Sequence, residues 1–162
     1  IKYASLRYFN AAGYDKDGKI FCKEKEPQNL IPLVMEVATK KRKAIDIYGN
    51  DYNTKDGTGI RDYIHVSDLS RGHIAALEYI DTTKNNLILN LGTCTGHSVL
   101  DVISKTKFIS NKDIAFNFVD RRLGDPEIVI ASSEKAKNTI DWNPQFSDLD
   151  TIIKTTWNIY NK

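Results

Sequence analysis

The sequence predicts an α/β fold, in which short strands and amphipathic helices alternate along the chain. The first of two observations favours this class, and the second indicates a globular domain. Runs rich in β-branched and aromatic residues alternate with stretches that repeat apolar residues at helical spacing. The chain also has 162 residues, 41% of them hydrophobic and 27% charged, as in an ordinary globular domain. Such alternation favours some parallel strand pairing.

Six segments have the character of strands, because each is short, apolar or alternating, and bounded by turn-forming residues. The fourth is continuously apolar except for Asn90, whereas the fifth alternates apolar and polar residues. In chain order the predicted strands cover residues 5–10, 45–48, 61–66, 87–91, 114–119 and 128–131.

The first predicted helix covers residues 30–41, since Leu30, Val34 and Val37 follow helical spacing. Pro32 falls in its first turn, where proline is tolerated. The basic run 40–43 is expected in the last turn, where lysine complements the helix dipole.

A second helix is expected from Ser67, which we predict to be its N-cap, with Asp68 at its positive end. Its buried stripe is predicted from the apolar spacing, with a half-buried histidine among its members. The predicted stripe comprises Leu69, His73, Leu77 and Ile80.

Three further helices follow. Ser98 and Asp101 form a capping-box pattern that predicts a helix start, and Ser147 and Asp150 repeat the pattern before the last helix. Between them, residues 133–140 are expected to form a short helix.

Composition excludes several classes of protein. The 23 basic and 21 acidic residues are interspersed, giving a net charge of +2, so no nucleic-acid partner is expected. No apolar run has the length of a membrane span, and no membrane association is predicted. The two cysteines indicate free thiols and a reducing, cytoplasmic location. The three histidines lack zinc-site spacing, so no metal is expected.

The motifs of a complete nucleotide-dependent enzyme are missing from this sequence. The nine glycines form neither GxGxxG nor a P-loop, no tyrosine precedes a lysine by four positions, and there is no GxSxG elbow. The sequence does place Asn10, Asn29, Arg61 and Arg122 at junctions between elements, where such side chains suit a phosphate-bearing ligand.

Several motifs resemble the UDP-glucose 4-epimerase family of extended short-chain dehydrogenase/reductases. The most specific is IYGNDYNTKDGTGIRDYIHVSD at residues 47–68. Its NDYNTKDG insert favours epimerases over related dehydratases and decarboxylases, which have a shorter form. The other matching motifs are LRYFNAAG at 6–13, QNLIP at 28–32, NLGTCTGHSVL at 90–100 and RRLGDP at 121–126.

The resemblance covers essentially the whole chain but only the C-terminal half of such enzymes. It implies that residues 1–162 form a UDP-sugar-binding C-terminal part of a Rossmann-type enzyme. The NAD-binding half, with its catalytic tyrosine, lysine and serine and its homodimer helices, is then expected outside this chain. No catalytic residue is therefore predicted here, and the isolated chain is expected to be inactive.

The resemblance also assigns site residues. Phe9 is expected beside the nicotinamide of NAD, Asn10 at the pyrophosphate or sugar, and Tyr48 stacked on uracil. Arg61 and Arg122 are expected to clamp the diphosphate, and Asp125 to accept from the ribose hydroxyls. The predicted substrate-binding set is Asn10, Asn29, Leu30, Ile47, Tyr48, Arg61, Val99, Arg122, Asp125 and Val129.

Alternatives remain open from the residues alone. Arg61 and Arg122 could be surface ion-pair partners, Tyr48 a plain strand aromatic, and Asp125 part of a turn. Val129 stands where several family members have a tyrosine at the sugar end, which leaves the sugar specificity open. The competing functions are a non-catalytic nucleotide-sugar-binding module and another UDP-sugar enzyme, such as a decarboxylase.

Overall fold

The computed structural model describes all 162 residues and confirms the α/β class, with five helices and nine short strands. The helices are α1 (Leu30–Ala38), α2 (Val66–Thr83), α3 (Val99–Ser110), α4 (Glu134–Ile140) and α5 (Leu149–Tyr160). The strands are β1 (Ala4–Arg7), β2 (Asn10–Ala12), β3 (Ile45–Tyr48), β4 (Ile60–Arg61), β5 (Tyr63–His65), β6 (Leu87–Asn90), β7 (His97–Ser98), β8 (Phe116–Val119) and β9 (Ile128–Val129).

The strands form four small sheets, and most of the pairing is parallel, as predicted. β1 pairs with β6, β2 with β5, and β3 with β8, all in parallel. In the fourth sheet β4 lies between antiparallel β7 and parallel β9, so that Arg61 is opposite both His97 and Val129. β3 therefore has one edge that no strand covers.

Two apolar cores hold these elements together. The larger core joins α1, α3 and α5 to β3 and includes fully buried Met35, Ile103 and Ile152. The smaller core packs β6 against α2 and α4, around Leu89 and Trp142. The helices of the larger core position one end of α1 beside the open edge of β3.

Two predicted strands are each interrupted in the structure. Residues 5–10 divide into β1 and β2, which join different sheets. Residues 61–66 divide into β4 and β5 at Asp62, whose buried carboxylate accepts hydrogen bonds from Thr93 and from the backbone N–H of Ala131. A buried carboxylate needs such donors, and turning toward them breaks the strand.

Helix α1 ends at Ala38, earlier than predicted. Thr39 is the C-cap, and its hydroxyl donates to the carbonyl of Met35. Lys40 then has a left-handed φ of 60°, which ends the helix. The basic run 40–43 consequently lies beyond the helix, and the prediction that it occupies the last turn is wrong.

The start and the buried face of α2 also differ from the prediction. The N-cap is His65, whose Nδ1 accepts a hydrogen bond from the N–H of Ser67, so Ser67 already belongs to the first turn. His73 and Leu77 are exposed, while Gly72 and Ala76 are buried beside Leu69. A Cβ atom at Gly72 would lie 2.7 Å from Leu91 Cδ1, so the Leu91 side chain, which follows β6, packs closely against the face with small residues.

Only one of the two predicted capping boxes is present in the structure. Ser98 and Asp101 form the predicted box at the start of α3. At α5 the N-cap is Asp148, which accepts from the N–H of Thr151, whereas Ser147 donates its hydroxyl to the buried carboxylate of Asp68. The competing buried acceptor explains why Ser147 does not cap the helix.

Candidate functional site

A cavity of about 410 Å³ lies where the N-terminus of α1, the open edge of β3 and the segment after β8 meet. It brings together all of the predicted substrate residues except Val129, although they come from well-separated parts of the sequence. The predicted residues that line it are Asn10, Asn29, Leu30, Ile47, Tyr48, Arg61, Val99, Arg122 and Asp125.

One wall of the cavity is the start of α1. Asn29 occupies the N-cap position, but its side chain makes no capping hydrogen bond. The first N–H groups of a helix lack internal partners and favour an anion. Asn10 reaches the same cavity from β2. This wall therefore offers a helix N-terminus and two side-chain amides.

A second wall is β3, whose residues all line the cavity and alternate between buried and exposed. Ile47 is only 2% exposed and belongs to the larger core, while Tyr48 is 39% exposed. The N–H groups of Ile45 and Gly49 donate to carbonyls of the β8 side. Because backbone groups alternate in direction along a strand, those of Asp46 and Tyr48 lie on the uncovered edge.

Arg61 and Asp125 form a close ion pair within the cavity wall. Arg61 Nη2 lies 2.5 Å from Asp125 Oδ1, and Arg61 Nη1 donates to the carbonyls of Ile60 and Glu127. The Arg61 side chain is 17% exposed. Arg61 is thus largely engaged within the protein, while Asp125 Oδ2 makes no hydrogen bond.

Arg122 is arranged differently, because its guanidinium carries no carboxylate partner. Its Cζ atom lies 3.7 Å from the centroid of the Tyr48 ring, within the range of a cation–π contact. One face of Tyr48 is therefore already covered, and a base could stack only on the other. The N–H groups of Arg122 remain available for an anion.

The remaining predicted residues lie at different distances from the cavity. Val99, the first residue of α3, lines it. Val129 lies in β9 opposite Arg61 and is half-buried, but does not line the cavity. Phe9 lies between β1 and β2, is 46% exposed, and is also outside it.

Some lining residues were not predicted. Asp46 contributes through the backbone edge, Arg42 donates its Nε to Glu36 at 3.0 Å, and Tyr52 belongs to the insert that follows β3. Buried Tyr63 also lines the cavity, and burial raises the pKa of its hydroxyl. The role of the Asp46 backbone could not be predicted, because backbone groups are the same in every residue type. Tyr52 could have been predicted, because it lies within the most specific motif.

A second cavity, of about 510 Å³, adjoins the first. The two share Asn10, Asn29, Leu30 and Tyr63, and the second extends to the first turn of α2 and to the segment after β2. The sequence did not predict this extension of the site.

No cluster of three or more His, Cys, Asp or Glu residues is arranged to hold a metal ion. Both cysteines, Cys22 and Cys94, are exposed free thiols. None of the helices has both the length and the apolar composition needed to cross a membrane.

Comparison with known proteins gives consistent matches. The NAD dependent epimerase/dehydratase family matches residues 1–92, more than half of the chain. A UDP-glucose 4-epimerase of Lacticaseibacillus casei is 41% identical over 158 residues, which are 98% of this chain and 48% of that protein. The chain spans about half the length of the curated relatives it matches.

Solved structures agree with the sequence relatives. UDP-glucose 4-epimerase from Brucella ovis, in complex with NAD, has a TM-score of 0.94 and 38% identity, covering 99% of this chain and 49% of that one. The enzyme from Bifidobacterium longum, in complex with NAD+ and UDP, has a TM-score of 0.91 and 37% identity, covering 99% and 48%.

Proposed function

This chain belongs to the NAD dependent epimerase/dehydratase family, and we propose that it forms the UDP-sugar-binding part of a UDP-glucose 4-epimerase. The observation that carries the proposal is the 410 Å³ cavity, which joins a helix N-terminus, a free arginine and an uncovered strand edge. These three features match the phosphates and the amide-like base of a UDP-sugar. Relatives that are about 41% identical to this chain are named UDP-glucose 4-epimerase.

In this proposal the uracil base binds at the uncovered edge of β3. Uracil has one N–H donor flanked by two carbonyl acceptors, a pattern that backbone groups can complement. The groups of Asp46 and Tyr48 point to that edge, because the N–H groups of Ile45 and Gly49 are used on the β8 side. The backbone thus selects the base, and the Tyr48 side chain contributes its free ring face.

The diphosphate binds between Arg122 and the start of α1. Arg122 can donate two parallel N–H groups to phosphate oxygens, while Asn29 and the first N–H groups of α1 approach from the other side. Arg61 adds positive charge but mainly holds Asp125. The unpaired Asp125 Oδ2 can accept from a ribose hydroxyl.

The sugar is expected beyond Asn10, toward the adjoining cavity and Val129. When bound, NAD would supply the hydride acceptor and donor for the sugar C4. The residues present fit only a small part of that cofactor: Phe9 offers a half-exposed ring, and this sequence has no glycine-rich phosphate loop. We therefore propose that residues outside this sequence bind most of the NAD and carry out proton transfer.

The same proposal includes a homodimeric, cytoplasmic enzyme. Dimer contacts are expected in the NAD-binding part, and the two free thiols agree with a reducing compartment. Analytical ultracentrifugation of the full-length protein tests the dimer, and cell fractionation tests the location.

The test of the proposed site is calorimetric titration of the full-length protein with UDP. Arg122→Ala is expected to weaken binding about 10- to 150-fold, since hydrogen bonds to charged groups contribute ~1.5–3 kcal/mol each. Arg122→Lys is expected to restore only part of the affinity, because an ammonium lacks the planar pair of donors. Lys84→Ala is the control, since Lys84 pairs with exposed Asp81 away from the cavity.

Activity distinguishes the enzyme from the alternatives. The full-length protein is expected to convert UDP-galactose to UDP-glucose in a coupled assay. UDP binding without turnover would instead support a non-catalytic binding module, and release of carbon dioxide from UDP-glucuronate would support a decarboxylase. Equal UDP affinity of wild type and Arg122→Ala would contradict the assignment of the cavity.

A further inference from the structure

Arg121 adjoins Arg122 in sequence but does not line the cavity. Its Cζ atom lies 4.0 Å from the centroid of the Tyr52 ring, and its Nε donates to Asp51 Oδ1 at 2.6 Å. Its Nη2 also donates to the carbonyl of Asp51. Two consecutive arginines thus stack on two tyrosines, Arg121 on Tyr52 and Arg122 on Tyr48.

From this geometry we propose that Arg121 is a positioning residue, which with Asp51 and Tyr52 holds Arg122 in place over the cavity. The contact ties the segment of residues 120–127 to the insert that follows β3. The inference rests on the proposed function, because it concerns how the diphosphate-binding arginine is kept ready for its ligand.

The segment has few other attachments near Arg122. Residues 120–127 form neither helix nor strand, and Leu123 is fully exposed. On the C-terminal side of Arg122, Asp125 pairs with Arg61, and the Glu127 carbonyl accepts from the N–H of Ile60 and from Arg61 Nη1. The Glu127 carboxylate also accepts weakly from the N–H of Asn53 at 3.4 Å. On the N-terminal side of Arg122, the only side-chain hydrogen bonds to the insert are those of Arg121 to Asp51.

The contact is closely packed as well as charged. Gly49 lies against it with a φ of 86°, and a Cβ atom there would be 2.7 Å from Tyr52 Cε2 and 2.8 Å from Arg121 Cγ. The hydrogen bond from Arg121 lowers the pKa of the Asp51 carboxyl, so the pair stays ionised over the neutral pH range. We call this arrangement of Arg121, Asp51 and Tyr52 the latch.

The latch is expected to strengthen UDP binding, because it orders the Arg122 side chain before the ligand binds. An arginine that is mobile before binding must be immobilised by the ligand, and that cost corresponds to about a 2- to 12-fold loss of affinity. Disrupting the latch should therefore weaken UDP binding without removing any group that touches UDP.

Limited trypsin digestion of the full-length protein tests the latch without any ligand. Asp51→Asn keeps every arginine but removes the carboxylate, so cleavage after Arg121 and Arg122 is expected to become several-fold faster. The control is Asp81→Asn, which removes a carboxylate that lies on α2 and pairs with Lys84. Unchanged cleavage at residues 121 and 122 in Asp51→Asn would overturn the inference and leave the proposed function intact.

A double-mutant cycle with UDP tests the route of the effect. Asp51→Asn and Arg121→Ala are each expected to weaken UDP binding 2- to 12-fold in an otherwise wild-type protein. In an Arg122→Ala background the same changes are expected to have no further effect, because their only route is through Arg122. Additive losses would overturn the positioning role, and absence of UDP binding by the wild type would overturn both this inference and the proposed function.

Discussion

At the scale of single residues, His65 links β5, α2 and α5. Its side chain is completely buried, its Nδ1 accepts from the N–H of Ser67, and its Nε2 lies 3.1 Å from Thr155 Oγ1. Because the Thr155 hydroxyl donates to helix carbonyls, Nε2 carries the proton and the ring is neutral. Burial lowers the pKa of His65, outweighing the opposing influence of Asp68 and other nearby carboxylates.

The lowered pKa of His65 therefore predicts that the folded protein loses stability in acid. An unfolded histidine takes up a proton near pH 6.5, whereas folded His65 does so only at lower pH, so protons favour the unfolded chain. The free energy of unfolding should fall as pH drops below about 6.5, by at most ~1.4 kcal/mol per pH unit from this group.

Urea denaturation at several pH values between 8 and 5 checks this prediction. His65→Asn retains a capping oxygen and is expected to be less stable throughout but to show a shallower decline in acid. His97, whose pKa burial also lowers, is present in both proteins, so the difference reports His65. Parallel declines in the two proteins would contradict the prediction.

Val129 carries a prediction about sugar choice. Val129 lines neither cavity, but it stands where several family members have a tyrosine at the sugar end. We expect valine there to leave more room for the N-acetyl group of UDP-GlcNAc, so that the full-length enzyme epimerises plain and N-acetylated UDP-hexoses. Val129→Tyr should selectively lower kcat/KM for UDP-GlcNAc, by roughly 10- to 200-fold, the usual effect of such pocket changes.

The control for Val129 is Ile128→Tyr. Ile128 precedes it in β9 and is 50% exposed, on the opposite face. Ile128→Tyr should leave the ratio of kcat/KM for UDP-GlcNAc to kcat/KM for the plain UDP-hexose unchanged. A wild type that already discriminates against UDP-GlcNAc by more than this factor would show that another residue closes the pocket.

At the scale of elements, the start of α3 also anchors the insert that follows β3. Ser98 accepts from the N–H of Asp101 and donates to Asp56, and Asp56 also accepts from Thr58. One hydroxyl thus caps the helix and satisfies a carboxylate of the insert.

Ser98→Ala is expected to lower the free energy of unfolding by about 1–3 kcal/mol, from a lost cap and an acceptor left without its donor. Chemical denaturation measures the change. Ser133→Ala is the control, because Ser133 precedes α4 but makes no capping hydrogen bond. Equal effects of the two substitutions would show that the hydrogen bonds of Ser98 add nothing.

Helix α2 shows where element prediction fails. Both of its faces contain apolar residues, and spacing alone selected the one with Leu77. The chain instead packs the face with Gly72 and Ala76, leaving Ile74 and Leu77 58% and 68% exposed. Small residues permit the close approach of the Leu91 side chain, and a count of large apolar residues does not detect this.

At the scale of the whole molecule, the 162-residue chain alone is expected to lack epimerase activity and NAD binding. The reason is that neither a glycine-rich loop nor a tyrosine–lysine pair occurs in it. The measurements are a coupled UDP-galactose to UDP-glucose assay and NADH fluorescence after addition of UDP-sugar. Turnover by the pure chain would refute this prediction.

The sequence by itself determined the α/β class, the existence and approximate extent of every helix, and nine of the residues that line the cavity. These follow from local spacing, capping patterns and a motif long enough to be specific. Only the tertiary structure decided which face of α2 is buried, that Asp62 divides a strand, and that Arg61 holds Asp125 while Arg122 remains free. Those outcomes depend on contacts between residues far apart in the chain, such as Asp62 with Ala131. The local sequence does not indicate which distant residues will be in contact.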